Sequence, residues 1–218
     1  NFTAPDAHVL VVDDNEINRK VINGLLDPYK LNIYMAEDGK QACQMVQEMH
    51  FDIVFMDHMM PVMDGIEATA FIRNLEGDYF KNLPIIALSA NATQEAQDIF
   101  TNAHMNAFVS KPVRINELAK CLRSWLPEQR IVKPDNDAVS DEAETDGSER
   151  ISGTEGMENI DGLDVEEGLK NCGSRELFVE LMGDYCRVIE QNIDKLTQCL
   201  ETGNVRDYTI EVHALKNT

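Results

Sequence analysis

The stretch that decides the fold of this chain is IVFMDHMMPVMDG, residues 53–65. Its first four residues are all apolar, and such an uninterrupted run is typical of a strand buried on both faces of a parallel sheet. The run ends at Asp57, and the chain then turns through Pro61 and Gly65. The pattern therefore predicts a buried strand that holds one carboxylate at its carboxyl-terminal end, where open α/β sheets bind their ligands.

Polar residues also follow three other short apolar runs, at residues 9–12, 85–88 and 107–109. The residues that come directly after these runs include Asp13, Asp14, Ser89 and Lys111. Because the carboxyl ends of parallel strands share one edge of a sheet, we expect these side chains to meet Asp57 there. Three acids, a hydroxyl and a lysine at one edge favour a magnesium-dependent site that accepts a phosphoryl group.

Strand patterns alternate with helical patterns as far as Pro127. The predicted strands are residues 8–13, 32–36, 52–56, 84–88 and 107–109. Two of the helices between them begin with a capping box, Asp38 with Gln41 and Asp64 with Glu67. Five β-α units of this size predict a doubly wound α/β domain built on a parallel sheet.

Residues 7–127 resemble the receiver domain of two-component response regulators, because the acids, the serine and the lysine occur in the family's order and at its spacings. The resemblance implies a flavodoxin-like, five-stranded sheet with the strand order 2-1-3-4-5. Residues 1–6 are then expected to be an N-terminal tail outside the domain.

The same resemblance implies a phosphoryl-accepting centre that depends on Mg²⁺. Asp57 would be the nucleophile, and it would become an acyl phosphate. The ion would neutralise the repulsion between the anionic donor and this carboxylate. Its implied ligands are Asp13, mostly through water, Asp14, Asp57 and the backbone carbonyl of Met59.

Further residues near Asp57 are assigned roles by the resemblance. Lys111 would place a positive charge on a phosphoryl oxygen, and Ser89 would hydrogen-bond another. Phe108 would follow Ser89 inward, so that the two act as a switch. Each residue alone has an ordinary explanation; Asp14, for example, could cap the following helix. His58 is expected to be a surface residue without a part in the site.

Composition limits the classes of function. The chain has 218 residues, of which 43% are hydrophobic, and a formal net charge of −20. Such a charge repels nucleic acid and anionic lipid, so we expect neither as a partner of this segment. No apolar run reaches the roughly 18 residues that cross a bilayer, and no secretory signal pattern is present, which favours a cytoplasmic location. The five cysteines include no C-x-x-C pair, so reduced thiols are expected, with a zinc or redox site as the alternative.

Residues 128–160 differ in composition from the domain before them. The run DNDAVSDEAETDGSE at residues 135–149 has no basic residue and almost nothing apolar. Such a segment cannot bury enough surface to offset its loss of conformational entropy on ordering. We therefore expect a flexible acidic linker, with an acidic interaction tail as the alternative.

Helical periodicity returns in residues 161–218. Ser174 is the predicted N-cap of a long helix that ends at Gly203. Its apolar stripe consists of Phe178, Met182, Tyr185, Ile189, Ile193, Leu196 and Leu200. A second helix is predicted from about residue 205 onward.

His213 lies on that second helix. Tyr208, Val212 and Leu215 form its apolar stripe, so the histidine is expected to face water, where an imidazole can accept a phosphoryl group. The run HALKN at residues 213–217 is similar to the His-x-Leu-Lys-Gly signature of histidine-containing phosphotransfer (HPt) domains, with Asn217 in place of the usual small residue. An ordinary exposed histidine is the alternative.

These features predict a receiver domain followed by the first part of an HPt helical bundle, from a bacterial hybrid sensor histidine kinase that could be anchored in a membrane. The chain begins with Asn1 rather than Met and stops before the bundle could close, so we expect the parent protein to continue. The tail should then be loosely packed, self-associated or docked on the receiver.

The expected partners are a histidine kinase core, which would supply the phosphoryl group, and the receiver of a downstream response regulator. The chain has no ATP-binding motif, so the kinase activity would belong to another part of the parent protein. Two alternatives are a response regulator with a helical interaction module and a DNA-binding regulator. The second is disfavoured because no basic patch follows the receiver.

Overall fold

A computed structural model of the chain describes residues 2–90, 93–132, 164–172, 174–202 and 208. The strands of its sheet are β1 (His8–Val12), β2 (Asn32–Ala36), β3 (Ile53–Asp57), β4 (Ile85–Ser89) and β5 (Ala107–Ser110). All four neighbouring pairs are parallel, and the strand order is β2-β1-β3-β4-β5. The predicted flavodoxin-like sheet and its order are therefore confirmed, and the predicted strand ends are correct to within one residue.

Eight helices connect and follow the strands within the described ranges. They are α1 (Glu16–Leu26), α2 (Gly39–Glu48), α3 (Gly65–Arg73), α4 (Asp78–Asn82), α5 (Gln94–Asn102), α6 (Ile115–Trp125), α7 (Val165–Cys172) and α8 (Arg175–Glu201). Two short 3-10 turns, Asp27–Tyr29 and Glu128–Arg130, lie after α1 and α6. The first six helices complete the doubly wound domain.

The sheet separates two apolar cores. On one face, α1 and α6 supply Ile22, Leu25 and Leu122, which pack with Val9, Val11 and Phe55 of the strands. On the other face, α2 and α3 supply Val46 and Ile72, which pack with Leu10, Val54 and Met56. Because successive residues of β1 and β3 face opposite cores, both strands must be apolar throughout, which explains their continuous apolar runs.

The helix starts follow the sequence signals closely. Asp64 and Glu67 form the predicted capping box at α3, each side chain accepting from the other's backbone N–H. Asp38 caps α2, but Gln41 accepts from the backbone N–H of Glu37 rather than from that of Asp38. The second predicted capping box is therefore an ordinary N-cap, with an additional hydrogen bond from the residue before the cap to the Gln41 side chain.

The ends of the domain lie outside the predicted boundaries. Phe2 is 5% exposed, and its ring packs against Tyr29, so Phe2 and Ala4 of the predicted N-terminal tail belong to the core. Thr3 pairs with Val132 in an antiparallel β-bridge, and Arg130 forms an ion pair with Asp52 at 3.3 Å. The first residues of the predicted linker therefore pack on the receiver, while residues 133–163 lie outside the described ranges.

Helices α7 and α8 contact the receiver through α1. Ser174 caps α8, as predicted, by accepting from the backbone N–H of Leu177. The apolar stripe is buried only near its start, since Phe178 is 4% exposed whereas Ile193 and Leu200 are 55% and 65% exposed. The described part of the tail is therefore docked on the receiver through α7 and the first turns of α8, which is one of the three expected arrangements.

No helix within the described ranges combines the length and the apolar character needed to cross a bilayer. All five cysteines are free of disulfide bonds.

Candidate functional site

The candidate site lies at the carboxyl-terminal edge of the sheet, where β1 and β3 end side by side. Val12 is paired with Met56 in the parallel register, so the residues that follow each strand leave the sheet together. Asp57 ends β3, and Asp13 and Asp14 follow β1. Each of the three acids offers one carboxylate oxygen, and these oxygens all lie within 4.8 Å of one another. The expected meeting of the three acids is therefore present in the structure.

Lys111 crosses the sheet edge to the same cluster. Its Nζ lies 2.7 Å from Oδ2 of Asp13 and 2.7 Å from Oδ2 of Asp57. The backbone N–H of Lys111 donates to the carbonyl of Ser89, which ties the end of β5 to the end of β4. The Lys111–Pro112 peptide is cis. One cation therefore bridges two of the three carboxylates.

Asp13 is held in place by burial and by hydrogen bonds to both its side chain and its backbone. It is fully buried, and its Oδ1 accepts from the backbone N–H of Asn15 at 2.9 Å and from the side chain of Asn18 at 3.1 Å. Its backbone carbonyl accepts from the Arg19 guanidinium. Asp14 is exposed, and Asn15 rather than Asp14 caps α1, with its side chain accepting from Ile17. Asp14 therefore faces the solvent side of the cluster and is free of a capping role.

The charges in the cluster shift one another's ionisation. Partial burial, followed by the Asp13 and Asp57 carboxylates, raises the pKa of Asp14. Burial alone would raise the pKa of Asp57, but contacts from His58 and Lys111 outweigh it and lower that pKa. Burial would lower the pKa of Lys111, but its two acidic partners raise it. Asp57 is therefore ionised and Lys111 is charged at neutral pH, which is the state a nucleophilic carboxylate requires.

A close backbone contact shapes the loop after Asp57. A Cβ atom added to Gly65 would lie 2.1 Å from the carbonyl oxygen of Asp57, so only glycine fits at this first residue of α3. The backbone N–H of Gly65 donates to the carbonyl of His58. The backbone N–H of Met59 lies 3.4 Å from Oδ1 of Asp57, so the Met59 backbone is adjacent to the cluster. The loop is therefore folded back tightly around Asp57.

The expectation that His58 is a simple surface residue is wrong. Its side chain is 20% exposed, with Nδ1 at 3.2 Å from the carbonyl oxygen of Leu88 and at 3.7 Å from Oδ1 of Asp57. Its ring packs edge-on against Phe100 of α5. The Asp57 carboxylate raises the pKa of His58. No sequence motif marked this role, because it depends on β4 and α5 lying beside β3.

Ser89 and Phe108 lie on neighbouring strands. Ser89 is fully buried at the end of β4, and Phe108 is half-buried on β5. Phe108 is paired in register with Ala87, which lies two residues before Ser89 and hence on the same face of the sheet. The two predicted switch residues therefore share one face of adjacent strands.

The predicted second phosphoryl site lies elsewhere in the chain. His213 and Asn217 fall outside the described residues. The HPt interpretation of residues 161–218 accordingly stays a prediction from the sequence.

The cluster fits Mg²⁺ by the chemistry of its donors. The ion prefers carboxylate and carbonyl oxygens and usually retains several waters. Three carboxylates within 4.8 Å of one another, one of them exposed, offer both hard oxygen donors and room for water. The residues that could hold the ion are Asp13, Asp14, Asp57 and, through its carbonyl, Met59.

The fold and this cluster define the class of protein. Residues 9–123, somewhat more than half of the chain, match the response regulator receiver domain family. The chain therefore belongs to that family, whose members act in two-component phosphorelays.

The individual relatives are histidine kinases and isolated receivers. The chain is 38% identical over 118 residues to hybrid signal transduction histidine kinase A of Dictyostelium discoideum, a match that covers 53% of this chain and 6% of that kinase. The receiver of a Pseudomonas aeruginosa sensor histidine kinase, described with a magnesium ion coordinated in its active site cleft, matches with a TM-score of 0.51 and 34% identity, over 55% of this chain and 96% of that one. The receiver is therefore homologous to those of hybrid histidine kinases.

A third match concerns a complex. It is the co-crystal structure of a Saccharomyces cerevisiae histidine phosphotransfer signaling protein with the receiver domain of its downstream response regulator. The match has a TM-score of 0.53 and 27% identity, over 62% of this chain and 97% of that one. Since the three similar proteins come from a bacterium, a yeast and Dictyostelium, the expectation of a bacterial source stays a prediction.

Proposed function

We propose that this receiver accepts a phosphoryl group on Asp57 from a phosphohistidine, in a reaction that depends on Mg²⁺. The observation that carries the proposal is the cluster itself. Three carboxylates converge within 4.8 Å, and the Lys111 ammonium lies 2.7 Å from the Asp57 carboxylate. Lys111 already pairs with Asp13 and Asp57, and the convergence of a third carboxylate, that of Asp14, is explained if a metal ion joins all three.

The proposed transfer exchanges one bond to phosphorus for another. A carboxylate oxygen of Asp57 attacks the phosphorus, and the N–P bond of the phosphohistidine breaks with its electron pair returning to the imidazole. The lowered pKa of Asp57 keeps the nucleophile ionised. Lys111 then exchanges part of its contact with Asp57 for a phosphoryl oxygen, which keeps the new negative charge paired. Bound Mg²⁺ would reduce the repulsion between the two anionic reactants.

The shared face of β4 and β5 supports the proposed switch of Ser89 and Phe108. Once Asp57 carries a phosphoryl group, the Ser89 hydroxyl donates to one of its oxygens. Phe108, on the same face of the neighbouring strand, takes up the space that Ser89 leaves. This is a local charge change that biases a two-state packing arrangement.

The proposed partners follow from the relatives. Homology to receivers of hybrid histidine kinases supports a kinase-core histidine as the donor. The yeast co-crystal structure pairs a receiver with a histidine phosphotransfer protein, which supports onward exchange with such a domain. In the present chain the candidate for that second carrier is His213, and a downstream response regulator would receive the phosphoryl group from it. A helical interaction module that carries no phosphoryl group is the alternative for residues 161–218.

The proposal predicts that acetyl phosphate and Mg²⁺ label this chain at Asp57. Asp57→Asn should abolish the label, because a side-chain amide does not act as a nucleophile toward phosphorus. The matched control is Asp64→Asn, the same substitution in the same loop, at a residue whose capping role Asn also performs. Mapping the phosphorylated residue by mass spectrometry, with and without a chelator, measures the outcome.

The control should be labelled as the wild type is, and the chelator should suppress labelling of both. Label that persists in Asp57→Asn would assign the nucleophile to another residue. Label that is unaffected by the chelator would remove Mg²⁺ from the proposal.

A further inference from the structure

Helix α8 packs on α1 through a close contact at a glycine and through an ion pair. A Cβ atom added to Gly24 of α1 would lie 2.2 Å from a terminal methyl of Leu177, so Leu177 fills the space that the glycine leaves. About two turns further along α8, Oδ2 of Asp184 accepts from Nζ of Lys20 at 2.6 Å. The Asp184 side chain is 10% exposed, and it also pairs with Arg187. A charged group so well covered is costly unless it is paired, so this contact is specific.

Helix α7 completes the docked unit. Phe178 of α8 is 4% exposed, and its ring lies so close to Gly168 that a Cβ atom there would be 2.5 Å from it. Both α7 and α8 contact α1. The two helices therefore pack on each other through one small residue and on the receiver through another.

The two contacts on α1 establish the direction of α8. Leu177 contacts Gly24, and Asp184, which comes later on α8, contacts Lys20, which comes earlier on α1. The two helices therefore run antiparallel. Helix α1 begins at Glu16, immediately after Asp13 and Asp14. The carboxyl-terminal part of α8 therefore points toward the edge of the sheet that carries the acid cluster.

The length of α8 takes it beyond that edge. From Asp184 to its end at Glu201 the helix extends about 26 Å, at the usual rise of about 1.5 Å per residue. From Lys20 to the start of α1 at Glu16 is only about 6 Å on the same basis. The last turns of α8 thus extend about 20 Å past the start of α1, in the direction of the sheet edge that carries the acid cluster.

We propose that α7 and α8 form an intramolecular latch on α1, which restricts a protein-sized phosphodonor from reaching Asp57 while a small donor still enters. The inference rests on the proposed phosphoryl transfer and adds its regulation. A protein donor must cover the carboxyl edge of the sheet to bring its histidine to Asp57, and the projecting part of α8 occupies the approach along α1. Acetyl phosphate needs only the cleft between the loops.

The test opens the latch from both of its sides in the full chain. Leu177→Asp introduces a charge opposite Gly24, and Lys20→Glu opposes Asp184 with a like charge. Leu200→Asp is the matched control, the same substitution at a residue that is 65% exposed on the projecting part of α8. Hydrogen exchange of α1 and α8 reports whether the latch opens, and it should become faster in the first two variants alone.

The functional readout compares two donors with Mg²⁺ present. Acetyl phosphate should label the wild type, the two latch variants and the control at equal rates. A phosphohistidine-loaded phosphotransfer protein should label Leu177→Asp and Lys20→Glu about tenfold faster than the wild type and the control, as expected if opening removes about 1.4 kcal/mol of docking free energy.

The outcomes separate the two proposals. Absence of labelling by acetyl phosphate in every form would contradict the proposed function. Normal labelling by acetyl phosphate, together with equal rates from the protein donor in all four forms, would overturn the latch alone. A protein donor that labels none of the four forms also counts against the latch, because opening is expected to be sufficient for access.

Discussion

At the residue scale, the chemistry of the site rests on unequal environments for three similar acids. Asp13 is buried and held by Asn15 and Asn18, and Asp57 is neutralised by Lys111. Asp14 is exposed, and its pKa is raised because its partial burial and its two acidic neighbours outweigh the more distant Lys111. The repulsion within the cluster is therefore concentrated on Asp14, and a bound cation would relieve it.

The repulsion on Asp14 should lower the stability of the folded protein when no metal is bound. The folded protein raises the pKa of Asp14, so any stability linked to its protonated form is present at low pH and is lost as the pH rises through the folded pKa. Asp14→Asn should therefore increase the free energy of unfolding at pH 7, by about 1 kcal/mol or less because water screens an exposed carboxylate. The increase should disappear below the ordinary pKa of an aspartate.

Urea unfolding at pH 7 and at pH 3.5, each with and without Mg²⁺, measures this effect. Added Mg²⁺ should stabilise the wild type more than Asp14→Asn, which lacks one ligand. Asp194→Asn, which removes an exposed acid from the projecting part of α8, is the control. It should change neither the free energy of unfolding at pH 7 nor the stabilisation by Mg²⁺. A variant less stable than the wild type at pH 7 without Mg²⁺ would contradict the idea that Asp14 is repelled by its neighbours.

At the element scale, α3 links the site to its scaffold. Its first residue, Gly65, lies against the carbonyl of Asp57, and the capping box of Asp64 and Glu67 fixes where the helix begins. The start of α3 thereby determines the path of the loop that leaves Asp57. Disturbing the cap should affect stability first and the site second.

We predict that Asp64→Ala lowers the free energy of unfolding by about 1 kcal/mol, the usual cost of losing an N-cap side chain. Asp64→Asn keeps an oxygen that can accept from the backbone N–H of Glu67. Its free energy of unfolding should therefore stay within a few tenths of a kcal/mol of the wild-type value. Chemical denaturation of both variants provides the measurement. Equal losses in the two variants would assign the effect to the charge of Asp64 rather than to its hydrogen bond.

At the scale of the whole molecule, Arg73 joins elements that are distant in sequence. Its guanidinium donates to the carbonyls of Phe80 and Leu83, to the carbonyl of His104 and to the side chain of Asn106. These acceptors belong to α4, to the approach to β4 and to the approach to β5. One side chain therefore supplies donors to three connections at once.

Arg73→Lys should cost about 3 kcal/mol of unfolding free energy, because an ammonium cannot reach this spread of acceptors and leaves several carbonyls without a donor. Arg114→Lys, at an exposed arginine, is the control and should be nearly neutral. Urea unfolding monitored by circular dichroism compares them. A loss of less than about 1 kcal/mol in Arg73→Lys would indicate that water replaces the guanidinium at these carbonyls.

The sequence patterns by themselves determined the parallel sheet and the residues gathered at its carboxyl edge, while the resemblance to receiver domains supplied the strand order. Apolar runs and capping residues act through near neighbours along the chain, so their periodicity is readable without coordinates. The tertiary structure alone decided the rest: the partners of Lys111, the packing of His58 between β4 and α5, the covering of Phe2, and the seating of α8 on α1. Each of these joins side chains far apart in sequence, and a contact of that kind leaves no periodic trace, because it depends on where two elements meet in space.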